Sequence, residues 1–269
     1  MNIFNIFDTL QKIDGDAIGR LEHASRRTFM NRIGSTLAAA AVPTAFATVV
    51  NKAYGATPSA TEVLNYALTL EYLENEFYEI ANNTANLIPA QYKAVFSQIG
   101  IHERNHVKFL VTALGSAAVK KPTFDFTAKG AFPAFTDFPT FVTLSKAFED
   151  TGVRAYKGQA GNLITEPLLL QYALQIHSVE ARHASIARKI LAKISGDKTI
   201  KSWITNDAGF PGDVYKGETS EGQVVQGGLN LPGIAGLENI SFATITESFD
   251  EPLTMAEVLK IAGPFVVSL

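Results

Sequence analysis

Four glutamates and two histidines recur in this chain in one order and at nearly one spacing. Glu71 is followed seven residues later by Tyr78, then by Glu103 and His106; Glu149 is followed seven residues later by Tyr156, then by Glu180 and His183. The interval between the two glutamates is 32 residues in one copy and 31 in the other. Glu and His three apart on a helix project to nearly the same side. Each Glu-x-x-His can therefore offer one carboxylate oxygen and one imidazole nitrogen to a single centre. Two such pairs on opposed helices, with one further Glu from each remaining helix, make up the ligand set of a two-metal site inside a four-helix bundle. Oxygen-rich ligation with one nitrogen per ion suits iron first and manganese as the alternative, and does not favour zinc or copper. A single Glu-x-x-His arises readily by chance as a surface pair. Two copies, each preceded by a Glu with a Tyr at plus seven, argue against that origin.

The neighbouring residues divide into supports and bystanders. Tyr78 and Tyr156 lie two turns from Glu71 and Glu149 and point the same way, so their hydroxyls are placed to hydrogen-bond ligand carboxylates across the bundle. Asp150 is a candidate to hold the free nitrogen of a ligand histidine. His177, one turn before Glu180, reads as a hydrogen-bonded core or surface histidine. His102 is rotated by about 100° from Glu103 and does not read as a ligand. Glu74 and Glu76 compete with Glu71 for the first-helix position. Glu71 is preferred because its Tyr at plus seven matches the second copy, with Glu74 as the fallback.

These residues need rigid rods to position them. A helix is expected from about Ser59 to Asn82, opened by a Ser59/Glu62 capping pair and carrying Leu64, Ala67, Leu68, Glu71, Leu73, Phe77 and Ile80 on one stripe. A second runs from Pro89 to Leu114 and is closed by Gly115. A third spans Pro139 to Gly161, and a fourth opens at Thr165 and Pro167 and stops at Gly196. Glu71 and Glu103 lie equally far from the first turn, and Glu149 and Glu180 equally far from the second, so each pair shares one height in its hairpin. Residues 116–138 hold Phe124, Phe126, Phe132, Phe135 and Phe138 with little helical period. That connection is longer than the roughly 2–8 residues joining antiparallel neighbours, and it predicts a crossover along the bundle. The expected fold is all-α: a four-helix bundle with a long crossover between helices two and three and a mostly irregular C-terminal extension. The extension contains a short helix near Thr254 to Ile261, opened by Thr254 and Glu257, and is expected to wrap the bundle or meet another subunit.

Composition narrows the rest. The chain has 269 residues, of which 46% are hydrophobic and 18% charged, which suits a globular core. A net charge of −3 gives no argument for nucleic acid or an anionic membrane. With no cysteine, disulfides, thiolate metal sites and Cys nucleophiles are excluded. Ser25-Arg26-Arg27-Thr28-Phe29-Met30 followed by the Ala-rich, uncharged stretch Gly34 to Val50 has the pattern of a twin-arginine export signal, with small residues near Ala53 to Ala56 for cleavage. Three parts are expected: residues 1–56 as signal segment, 57–196 as the di-metal bundle and 197–269 as the extension. No permanent membrane span is expected after export, to a periplasmic or other extracytoplasmic place.

Between residues 59 and 196 the chain resembles the ferritin-like superfamily, and looks most like its exported branch of ferritin-like domain or desiccation-related proteins. The resemblance rests on Leu70-Glu71-Tyr72-Leu73-Glu74 with Phe77-Tyr78, on His102-Glu103-Arg104-Asn105-His106, on Phe148-Glu149-Asp150 with Tyr156, on Glu180-Ala181-Arg182-His183, and on Ser248-Phe249-Asp250-Glu251-Pro252. It implies that Glu71 and Glu149 are terminal or bridging ligands, that Glu103 with His106 and Glu180 with His183 complete two centres, and that the protein binds metal and oxidises ferrous iron. The expected partners are metal ions and a small oxidant, dioxygen or peroxide, with a homo-oligomer allowed. The rivals are a dimanganese catalase-like enzyme and a non-catalytic stress-associated protein whose metals only lock the bundle. A reporter fused to residues 1–60 is expected to leave the cytoplasm; a fusion that stays inside shows that this segment is no export signal.

Overall fold

The structure, a computed structural model, describes residues 58–268 apart from 208, 210, 235 and 238. The twin-arginine motif and the Ala-rich run lie outside the described residues. Four long helices form: α1 (Ala60–Asn83), α2 (Ala90–Leu114), α3 (Phe138–Ala160) and α4 (Pro167–Ser195). Their ends follow local chemistry. The Ser59 hydroxyl accepts the Glu62 N–H while the Glu62 carboxylate accepts the Ser59 N–H, closing the capping box at α1. Asp137 accepts the Thr140 N–H at the start of α3, with Pro139 in the first turn. Gly115 and Gly196 follow α2 and α4 with φ of +54° and +71°, a backbone region that disfavours a Cβ.

α1 packs on α2 and α3 on α4 as two antiparallel hairpins. Two apolar clusters give the relative direction of the hairpins. One joins Val63, Leu64 and Leu68 near the start of α1 to Leu110 and Leu114 at the end of α2, Tyr156 late in α3, and Leu169 and Ala173 early in α4. The other joins Phe77 and Tyr78 late in α1 to Tyr92 and Phe96 early in α2, Phe141 and Phe148 early in α3, and Ile190 and Leu191 late in α4. The end of α2 and the start of α3 therefore lie at opposite ends of the bundle, and the connection between them must travel its length. Its phenylalanines contribute to the packing: Phe126 and Phe135 lie 5.3 Å and 5.6 Å from Phe77, ring centre to ring centre, within the range of favourable aromatic pairs.

Beyond α4 the chain wraps the bundle. It forms a Gly227–Gly228 hairpin between β2 (Val225–Gln226) and β3 (Leu229–Asn230), a short α5 (Phe242–Thr246) that hydropathy did not signal, and α6 (Met255–Ala262). α6 carries the expected Thr254/Glu257 capping box. β4 (Val266–Ser268) then pairs antiparallel with β1 (Thr123–Phe124) of the crossover, tying the two irregular segments together. The anchor of the wrap is Arg154 of α3, fully buried. Its guanidinium donates to the carbonyls of Glu251 (2.8 Å), Thr219 (2.6 Å), Lys216 (3.2 Å) and Val214, and lies 2.7 Å from the Glu221 carboxylate. Five donors in a rigid fork match such a ring of acceptors. Among the described residues no helix is long and apolar enough to cross a membrane.

Gly158 lets this wrap lie close to α3. A Cβ there would sit 1.9 Å from the Leu253 carbonyl oxygen, a backbone atom that cannot swing away, next to the Leu253 N–H that donates to the Arg154 carbonyl. Gly158→Ala is expected to cost about 1–3 kcal/mol, the range for overpacking, read as a lower urea midpoint with faster proteolysis after residue 197. An unchanged midpoint would show that the segment does not sit against α3 in this way.

Candidate metal centre

Between the two apolar clusters lies a polar layer. Glu71 on α1, Glu103 on α2, Glu149 on α3 and Glu180 on α4 are all fully buried at 0% exposure. His183 is buried as well, and His106 is partly covered. Donor atoms of Glu71, Glu103, His106 and Glu180 all lie within 4.8 Å of one another, and so do those of Glu103, Glu149, Glu180 and His183. Glu103 and Glu180 belong to both groups, while Glu71 and Glu149 belong to one each. The structure thus brings all six sequence-derived residues together, with the two Glu-x-x-His glutamates in the shared positions.

The histidines aim one nitrogen into this layer. His106 Nδ1 is 3.1 Å from Glu71 Oε2, 3.1 Å from Glu103 Oε2 and 3.4 Å from Glu180 Oε1. His183 Nδ1 is 2.8 Å from Glu103 Oε1 and 3.2 Å from Glu149 Oε2. One N–H cannot serve two or three oxygens: Glu103 Oε1 has only the His183 nitrogen that it shares with Glu149, and among the described residues both oxygens of Glu180 are buried with no hydrogen bond. Buried acceptors of this kind each cost about 1–3 kcal/mol. Four carboxylates facing two imidazoles carry more negative charge than a desolvated layer holds unless protons or cations offset it. The residues fit a pair of divalent cations, each with three carboxylates and one nitrogen, a donor set suited to iron or manganese.

The tyrosines support the layer across the bundle in a reciprocal way. Tyr156 of α3 donates to Glu71 Oε1 of α1 at 2.5 Å, and Tyr78 of α1 donates to Glu149 Oε1 of α3 while standing 2.7 Å from Ser145 Oγ. Burial, and then the charge of the adjacent glutamate, holds both hydroxyls well above the usual tyrosine pKa, so both remain donors at neutral pH. Each tyrosine occupies one oxygen of its glutamate and leaves the other facing the histidine.

Other expectations fare differently. Asp150 does not reach a ligand histidine. Its carboxylate takes Arg188 Nε at 3.1 Å and Nη2 at 2.5 Å, and the Tyr215 hydroxyl at 2.7 Å. One residue beyond Glu149 it is rotated by about 100°, toward the seam where α3, α4 and the C-terminal wrap meet. His177 gives Nδ1 to the Val153 carbonyl at 2.9 Å and has no part in the layer. Glu76 pairs with Lys121 at 2.7 Å near the surface. Glu74 lies outside both ligand groups, yet it is buried, and among the described residues it makes no hydrogen bond or ion pair. Burial, then the carboxylates of Glu180, Glu149, Glu103 and Glu71, push its pKa well up, so it is held as a neutral acid.

Two residues that were passed over do matter. His102, set aside as a non-ligand, places Nδ1 2.8 Å from His183 Nε2, the nitrogen that faces away from the carboxylates. Gly152 makes room for Glu180, since a Cβ there would stand 3.0 Å from Glu180 Oε2 and 3.4 Å from Glu74 Oε1. A glycine inside a long helix costs about 0.5–1 kcal/mol relative to alanine, and that cost was the available signal of a close approach.

The protonation of the metal-free layer has a definite sign. Burial raises the Glu103 pKa, and the bonds from His106 and His183 only moderate this, leaving it at about 7. His183 loses some basicity to burial, but Glu149 and Glu103 outweigh it and lift it to about 11. Both groups hold protons in the folded chain that the unfolded chain has released. The Glu103 contribution to stability is therefore complete below about 4.5 and lost by about 7, and that of His183 is lost from about 6.5 up to about 11. Glu71, raised by burial but carried net downward by His106 and Tyr156, acts only below this window. Metal-free protein is expected to melt at a lower temperature at pH 8 than at pH 5, and the rise in Tm on adding manganous ion is expected to grow over the same range, because the ion replaces those protons. A metal-free Tm that climbs with pH would contradict this protonation pattern.

A search of curated proteins returned no match. A family model described as the ferritin-like domain matches residues 59–193, half of the chain and nearly the whole four-helix bundle. The chain belongs to the ferritin-like family.

Proposed function

We propose that this protein holds two iron or manganese ions between α1, α2, α3 and α4 and uses them to react with dioxygen or peroxide. Glu71 and His106 hold one ion, Glu149 and His183 hold the other, and Glu103 and Glu180 are shared. The observation that carries this reading is the sharing itself: two four-residue donor groups meet on two common glutamates, and among the described residues both buried oxygens of Glu180 are without a hydrogen bond. When bound, such a pair supplies two adjacent redox centres able to deliver electrons to a small oxidant.

The chain's own residues prepare the site. Tyr156 and Tyr78 fix the outer glutamates so that Glu71 Oε2 and Glu149 Oε2 face the histidines. The apolar clusters above and below keep bulk water from the layer. On the α1/α3 side Ile261 and Ala262 of α6 close over Leu70, Leu73 and Glu74. His106 and His102 remain partly exposed, so the α2/α4 side is where a small oxidant and the ions themselves enter. The reading extends to location: the twin-arginine pattern of residues 25–30 supports export of the folded, metal-loaded protein.

Metal analysis distinguishes the shared from the outer ligands. Wild-type protein reconstituted anaerobically with ferrous ion is expected to hold two ions per chain. Glu71→Ala is expected to lose one, and Glu180→Ala both. The iron-loaded protein is expected to consume dioxygen or peroxide faster than free ferrous ion does. Manganese-loaded protein that releases oxygen from peroxide would assign the reaction to the manganese form instead. Absence of saturable binding by wild-type protein would overturn the proposal.

A further inference from the structure

The two halves of the layer repeat their ligands but not what stands behind them. His183 is buried, and its outward nitrogen Nε2 is 2.8 Å from His102 Nδ1. The two rings lie nearly parallel, 13° apart. His102 in turn brings Nε2 within 2.8 Å of the Gln98 side-chain amide. When Nδ1 of His183 holds an ion in place of a proton, the ring's remaining proton is on Nε2, where His102 Nδ1 stands to accept it. His102 then carries its own proton on Nε2, and the Gln98 amide, whose nitrogen stands 2.8 Å away in the metal-free chain, turns its oxygen to accept it. A ligand imidazole held in this way has its tautomer and ring orientation fixed.

The counterpart is missing on the other side. His102 precedes Glu103, and the residue preceding Glu180 is Val179, which has no polar group. Among the described residues Nε2 of His106 makes no hydrogen bond, and the His106 side chain is 12% exposed against 5% for His183. One imidazole is backed by a hydrogen-bonded chain and is the more covered, and the other has no such support behind it and is the more exposed.

We infer that His102 is a positioning residue that makes the two metal positions unequal: the Glu149/His183 position retains its ion, and the Glu71/His106 position is the one that loads last and exchanges with solvent. This rests on the two-metal reading above. It gives the centre a direction, with ions passing through the His106 side while the His183 side stays filled.

The test is a titration of metal-free, full-length protein with manganous ion, in which the paramagnetic signal of free ion gives the bound fraction directly. Wild-type protein is expected to bind two ions in steps separated by at least about tenfold, since supports behind ligand histidines typically change affinity by ~10–100-fold. Glu71→Ala should delete the weaker step and Glu149→Ala the tighter one. His102→Ala should weaken the tighter step by ~10–100-fold and leave the weaker one in place. His102→Asn, which keeps a hydrogen-bonding group where Nδ1 stood, should recover most of the loss, whereas His102→Leu, which keeps only bulk, should not. Two equal steps in wild-type protein, tight binding that survives in His102→Ala, or rescue by Leu in place of Asn would each overturn the inference and leave the two-metal reading standing. Fewer than two ions bound by wild-type protein would overturn both.

Discussion

Four carboxylates brought into one dry layer repel one another and have lost their water, and the rest of the structure is arranged around holding them there. Each of Glu71, Glu103, Glu149 and Glu180 comes from a different helix and is fully buried. No local element could hold them in this way; only four rods clamped above and below can. The clamps are the two apolar clusters, one rich in aliphatic side chains and the other in aromatic ones. Within the layer the compensation is partial. Two tyrosine hydroxyls bond the outer glutamates, at about 1.5–3 kcal/mol for a hydrogen bond to a charged group. Two imidazoles approach the oxygens that remain. Among the described residues Glu180 is left with two buried oxygens that accept no hydrogen bond, and this deficit is what a pair of cations would remove.

The direction of the helices follows from the same requirement. For Tyr78 to reach Glu149 while Tyr156 reaches Glu71, α1 and α3 must run antiparallel, each Tyr lying two turns beyond its own Glu. Antiparallel α1 and α3 put the end of α2 and the start of α3 at opposite ends, and a long crossover becomes unavoidable. That crossover would leave a row of phenylalanines in water if nothing covered them. The C-terminal wrap does so, through the pairing of β1 with β4 and the packing of Phe265 against Phe132 and Phe148. Arg154 holds the wrap to α3 two residues before Tyr156, so the element that closes the α1/α3 face is anchored beside the layer it covers.

Most of this was legible in the sequence because it depends on periods and caps. The four helices follow from the stripes, from Ser59 with Glu62, and from Gly115 and Gly196, and the observed ends lie within about two residues of the expected ones. The six clustered residues were legible as a group because the pattern occurs twice. Asp150 was misread because a one-residue offset decides which seam a side chain enters, and the groups waiting there, Arg188 and Tyr215, are 38 and 65 residues away. His102 was misjudged for the complementary reason. Rotation away from Glu103 does keep it from the centre of the layer, but it points it at His183 on the facing helix, a contact across 81 residues that no local period encodes. The short α5 has five residues, too few for any periodicity to register.

The duplicated pattern also contained the answer to the choice between Glu71 and Glu74. Three residues beyond Glu71 stands Glu74; three beyond Glu149 stands Gly152. If the position three beyond the first glutamate held a ligand, one half of the layer would lack it. In the structure these twin positions meet, and Glu74 Oε1 lies where a Cβ on Gly152 would come within 3.4 Å. The glycine thus opens space next to Glu180 that the side chain of its twin borders. The same comparison explains where symmetry stops. Residues that face the layer (glutamate, tyrosine and the Glu-x-x-His pair) keep their type in both halves. One residue after the first glutamate the halves part, with Tyr72 directed to the Val119 carbonyl of the crossover and Asp150 to Tyr215 of the C-terminal wrap. The two halves agree where they share a chemical task and differ where each binds a different part of the chain, so the departures from the repeat mark the attachments that make this bundle a single closed molecule.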